Sequence, residues 1–113
     1  MTMPAGLKTA GDHVLLAGVN ESFLNFTAHL DAIHQLLFGH QLVITSAKDG
    51  GHAPGSLHTA GLALDFRTAD KDPMANMLFL MVLVFAAEAM PITVFDERNL
   101  KANEHLHIEW HGL

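Results

Sequence analysis

A chain of 113 residues, half of it hydrophobic and without cysteine, is one domain with a core of its own and no space for a separate binding module. The formal charge of −6 excludes a nucleic-acid partner held by a basic stripe. With no thiolates, any bound metal must be held by histidine and carboxylate.

Residues 1 to about 20 are rich in glycine and small residues and are expected to form an irregular arm. Lys8 alone is basic there, and the apolar run Val14 to Val19 is short and broken by Gly18, so no secretory signal peptide is read. From Asn20 or Ser22, both good N-caps, apolar residues recur at Phe23, Phe26, Leu30, Ile33 and Leu37. That spacing marks one face of a helix ended by Gly39. His29 and His34 fall at its margins and are read as structural or solvated. Leu42 to Ser46 is a short β-branched run and the first expected strand. The glycine-rich stretch from Ala47 to Gly55 is a loop, in which His52 is either a substrate contact or a bystander.

After a polar loop over 68–72, Asp72-Pro73 reads as an N-cap with proline at the first helical position. The following helix, to about Met90, is apolar almost all round. A membrane span needs about 20 apolar residues. This run is shorter, with Asn76 and Glu88 towards its ends, so no stable membrane span is expected. It is read as the buried central helix of the domain, its methionines as core filler, with any exposed part an oligomer or partner surface. Pro91 stops it. Ile92 to Asp96 is a further strand, and 97–103 is a charged hairpin turn in which Arg98 and Lys101 are candidate clamping cations.

Two stretches carry chemistry. In Ser56-Leu57-His58-Thr59-Ala60-Gly61-Leu62-Ala63-Leu64-Asp65-Phe66-Arg67, strand alternation puts Leu62, Leu64 and Phe66 on the core side and Ala63 and Asp65 on the other. In Glu104-His105-Leu106-His107-Ile108-Glu109-Trp110, the same logic buries Leu106, Ile108 and Trp110 and turns out His105, His107 and Glu109. His58, Asp65 and His107 then form a set of two imidazoles and one carboxylate, suited to a single zinc ion with a fourth position open. Nine histidines point to a metal only because two of them fall into this pattern. Glu104 belongs in the turn before the last strand, from which its carboxylate bends over the site as a general base.

These residues resemble the M15 zinc peptidases, the D-Ala-D-Ala carboxypeptidase type that includes bacteriophage cell-wall endopeptidases and has the hedgehog/DD-peptidase fold. Their pattern, S-x-H-x-x-G-x-A-x-D followed by E-x-x-H within an H-x-H strand, is filled by Ser56, His58, Gly61, Ala63 and Asp65, and by Glu104, His105 and His107. The resemblance covers roughly residues 40 to 113. It implies a peptidoglycan hydrolase with His58, Asp65 and His107 on zinc and Glu104 as base. Ser56 becomes a substrate-binding group or else a turn residue before His58. His105 becomes the oxyanion donor or a support of the ligands. Many relatives carry an arginine after the first strand where this chain has Lys48. Its role falls to Lys48, Arg67 or His105, although lysine lacks the bidentate fork.

The resemblance leaves the scissile bond open between an L-alanyl-D-glutamate endopeptidase, a D-Ala-D-Ala carboxypeptidase and a dipeptidase. It equally leaves a non-catalytic zinc module or a virion-associated protein. A phage enzyme without a leader would reach the wall through a hole made by another protein, or as part of a virion. The fold expected is α+β: a small, mainly antiparallel sheet of four strands, with two long helices on one face and the metal on the other.

Overall fold

The computed structural model describes residues 6–48, 56–98 and 104–112. Five strands, β1 (Lys8–Thr9), β2 (Val43–Ser46), β3 (Ala63–Arg67), β4 (Ile92–Asp96) and β5 (His105–Trp110), form one sheet in the order β1-β2-β3-β5-β4. Helix α1 spans Glu21–Phe38 and α2 spans Pro73–Ala89. The α+β class holds, but the sheet is mixed: β1 runs parallel to β2, and the other pairings are antiparallel. The extra strand comes from the arm expected to be irregular. Lys8 and Thr9 pair with Val43 and Ile44, and Ala10 adds an N–H bond to the Ile44 carbonyl at 2.9 Å. Two residues are too few to show an alternation in sequence, so pairing alone makes them a strand.

Both helix starts follow from local chemistry. The Asn20 side chain accepts the Phe23 N–H at 3.0 Å, and the Asp72 side chain accepts that of Ala75 at 2.8 Å, ahead of Pro73 in the first turn. These bonds satisfy donors that a helix leaves open at its N-terminus. Gly39, left-handed at φ 79°, closes α1 by donating its N–H to Gln35.

The core lies between the helices and one face of the sheet. Leu64, Phe66, Leu106 and Ile108 from the strands meet Phe23, Leu24 and Leu30 of α1 and Phe79 and Leu83 of α2. Trp110 is buried as expected and stacks on Phe23 with ring centroids 5.4 Å apart.

Two expectations about the helices are corrected. The buried face of α1 is centred on Phe23, Thr27, Leu30, Asp31 and His34, whereas Ile33 and Leu37 are exposed. Polar residues occupy the core side because each is paired there. Asp31 accepts the Leu42 N–H at 2.8 Å and the Gln35 amide at 3.0 Å. His34 donates from Nδ1 to the His40 carbonyl at 2.8 Å and accepts Lys71 Nζ on Nε2 at 3.0 Å. The second correction concerns α2, which is not a central helix. It packs along β4, buries only Asn76, Phe79 and Leu83, and leaves its outer side to solvent. A sheet with one layer of helices covers one side of each, however apolar the other side is. Among the described residues no helix is long and apolar enough to cross a membrane.

Candidate metal centre

The open face of the sheet is built by alternation. Asp65 of β3 stands opposite His107 of β5, Ala63 opposite Glu109 and Arg67 opposite His105. β4 adds Phe95 opposite His107. The residues between these, Leu64, Phe66, Leu106 and Ile108, are fully buried on the other face. Register thus delivers an aspartate and a histidine as a cross-strand pair.

His58 arrives from the turn before β3. The Ser56 hydroxyl accepts the His58 N–H at 3.2 Å, and the Ser56 carbonyl accepts the Thr59 hydroxyl at 2.7 Å. Ser56 therefore orients the turn that carries His58. Gly61 closes the turn at φ +74°, and a Cβ there would collide with the Gly18 carbonyl. Its own carbonyl accepts the N–H of the α1 cap Asn20 at 2.9 Å. The glycine thus ties the site to the start of α1, and both its dihedral and the close approach require it.

Three ligand atoms, one each from His58, Asp65 and His107, lie within 4.8 Å of one another and can hold a metal ion. His107 Nδ1 is 2.7 Å from Asp65 Oδ1, and His58 Nε2 is 3.3 Å from the same oxygen. The far side of each ring is also held. His58 Nδ1 contacts the Ala47 carbonyl at 2.9 Å, and His107 Nε2 contacts Glu109 Oε2 at 3.0 Å. A carbonyl can only accept, so Nδ1 of His58 carries the hydrogen. Its other nitrogen, Nε2, faces the carboxylate. Fixing the outer nitrogens selects the pair that faces Asp65 as the ligating ones.

The charges agree. Burial would raise the Asp65 pKa, but hydrogen bonds from His107 and His58 and the nearby imidazoles outweigh it and hold the carboxyl far below its usual range. Burial would lower that of His107, but the hydrogen bonds to Asp65 and Glu109 and their negative charge raise it to about 9. In the metal-free protein a proton on His107 thus takes the place of an ion.

The remaining candidates are placed as follows. Glu104 lies immediately before β5, as expected, and its charge acts on Arg98. His105 shares the site face, with Nε2 at 3.8 Å from Asp65 Oδ2 and 3.5 Å from Glu97 Oε2. Arg67 ends β3 beside His105. Lys48 is exposed and lies over Gly18. Arg98 is no spare cation, because Asp96 holds it through two bonds of 2.8 and 2.7 Å. His52 and Lys101 lie outside the described residues. Sequence reasoning left Glu109, Glu97 and Phe95 without roles. The alternation that exposed His107 exposed Glu109 too, and Phe95, whose ring centroid is 5.6 Å from that of His107, alternates with the core-side Ile92 and Val94.

The chain matches no family model, and no curated protein matches it. The metal centre therefore stands on its own geometry.

Proposed function

We propose that this protein is a zinc-dependent peptidase acting on the stem peptides of peptidoglycan, with an L-alanyl-D-glutamate endopeptidase as the leading activity. The observation that carries the reading is the convergence of His58 Nε2 and His107 Nδ1 on one oxygen of Asp65, each ring fixed from behind. Two imidazoles and a carboxylate match the donor preference of zinc and leave a position for water or substrate. The motif resemblance supplies the reaction class.

When bound, zinc at this set supplies Lewis-acid polarisation of a carbonyl and acidification of water. The chain's own residues do the rest. Glu104, at the mouth of β5, takes the proton of the attacking water and returns it to the leaving amine. His105, on the same face, donates to the developing oxyanion. Glu109 and the Ala47 carbonyl keep the ligand rings in their tautomers, and Phe95 shields one side of His107 from water.

One observation favours a second reading. The Glu104 charge acts on Arg98, and His58, Asp65 and His107 come together without Glu104, an arrangement that also suits a metal-binding module without catalysis. One experiment separates the two. Zinc-loaded wild type and Glu104→Gln are incubated with purified peptidoglycan and the released ends are identified by mass spectrometry. New N-terminal D-Glu from the wild type alone establishes the endopeptidase. Released D-Ala establishes a carboxypeptidase. Tight zinc binding with no product from several wall chemistries abandons the hydrolase in favour of the module.

A further inference from the structure

The solvent side of α2 is apolar along its length. Opposite the buried Phe79 and Leu83, the residues Met74, Met77, Leu78, Met81, Val84 and Phe85 are 42–73 % exposed, and no charge falls between Asp72 and Glu88. At about 150–200 Å² for a fully exposed side chain of this size, the strip presents on the order of 600 Å². That reaches the top of the range of about 300–600 Å² for the largest patch on a monomer and approaches the roughly 800 Å² that each partner gives to a standard interface.

Spacing and charge identify the occupant. Met74, Met77, Met81, Val84 and Glu88 follow intervals of three and four, the seam of a helix that packs against another helix. Met81 is the midpoint of the 17-residue helix. An interfacial lipid-binding helix carries lysine and arginine on its polar margins, whereas α2 has neither and the chain is at −6. Parallel pairing of two α2 helices would set Glu88 against Glu88. Antiparallel pairing sets each Glu88 at the partner's helix N-terminus, where the dipole favours an anion. Asp72, which caps the helix through the Ala75 N–H and keeps its charge, lies two residues beyond Met74, the residue that faces Glu88 in this pairing, so the direct Glu88–Glu88 contact of the parallel arrangement is avoided.

We propose that α2 is a self-association surface through which two copies of this chain pair antiparallel, about a twofold axis beside Met81. The strip belongs to the helix layer, so pairing leaves the metal face of the sheet open.

Light scattering and sedimentation on the full chain at micromolar concentration test this. The wild type is expected at twice the chain mass of 12.3 kDa, and Met81→Glu at half the wild-type value with metal binding unchanged. The chain contains no cysteine, so introduced thiols report geometry. Met81→Cys should cross-link to its copy under mild oxidation. Met74→Cys should not, because seven residues on each side of the axis separate the two thiols by about 20 Å. A wild type that stays monomeric, a Met81→Glu variant that stays dimeric, or cross-linking at Met74 but not Met81 overturns the proposal. A monomer that sediments with neutral phosphatidylcholine vesicles also overturns it and assigns the strip to lipid.

Discussion

Two histidine-centred clusters sit at opposite sides of the sheet, and they behave in opposite ways. At the helix layer, His34 donates to a carbonyl and accepts from Lys71. The lysine, its side chain only 1 % exposed, also donates to the Arg67 carbonyl at 3.0 Å and to Asp70 at 2.9 Å. Every donor faces an acceptor, and burial, with Lys71 nearby, keeps the His34 pKa below 6.5. On the open face, His58 and His107 both turn a nitrogen to one carboxylate oxygen, and His107 is held protonated up to about 9. The first cluster is complete as it stands and welds α1, β3 and α2 together. The second closes on the His107 proton when metal-free, and its ligand atoms can hold a cation in that proton's place. Composition does not distinguish them, since each combines histidine, aspartate and a buried setting. The turning of two imidazole nitrogens to one carboxylate oxygen does.

The difference is broken most severely by removing a ligand. His107→Ala or Asp65→Asn should weaken zinc binding on the order of a thousandfold, since each protein ligand carries a sizeable share of the affinity. The fold should persist, which circular dichroism beside calorimetric titration would verify. Wild-type zinc affinity in both variants would dismiss the site.

Lys71→Met should do the reverse. Loss of a buried cation bonded to His34, the Arg67 carbonyl and Asp70 is expected to cost about 2–3 kcal/mol, a fall in Tm of roughly 10 °C in a domain of this size. Zinc affinity, compared below the melting range, should not change. A large drop in affinity would mean that the two clusters are coupled.

Glu109→Gln tests the rear support of His107. Affinity should fall about 10- to 100-fold, the usual scale for a group that orients a ligand. In the metal-free protein, NMR titration should place the His107 pKa below its present value of about 9. An unmoved titration would remove Glu109 from the site.

The smallest effects are in pH, and their signs oppose. His107 is raised from 6.5 to about 9 in the metal-free fold. Its contribution to stability is full below 6.5 and lost as pH rises through 9. His34 is lowered, so the native state takes up fewer protons than the unfolded chain below 6.5. Its contribution is intact above 6.5 and lost as pH falls below that value. Urea denaturation of the metal-free protein should show an alkaline slope that vanishes in His107→Gln and an acid slope reduced in His34→Gln. Zinc must displace the His107 proton, so apparent affinity should rise by up to about tenfold per pH unit until pH 9. A flat profile would place the proton elsewhere.

Much of this protein is written locally. A period of two in 62–67 and 105–110 assigned faces to Asp65, His105, His107 and Glu109 correctly, because a strand allows a side chain only two directions. Asn20, Gly39 and Asp72-Pro73 bounded the helices within a residue, because caps are satisfied by neighbours in the chain. The resemblance in the motif named His58 across a turn, and Gly61 in that motif has a steric reason.

Tertiary structure decided the rest. Whether Asp31 and His34 lie in the core, and whether the apolar α2 is central or covers one side, depend on partners distant in sequence. Such partners are chosen by packing, which periodicity does not encode. The parallel pairing of Lys8–Thr9 with β2 and the rear contacts from Ala47 and Glu109 belong to the same class. Residue types and spacing determined which groups could meet. Register and layer closure determined which atoms of those groups face one another, and it is atoms that hold a metal.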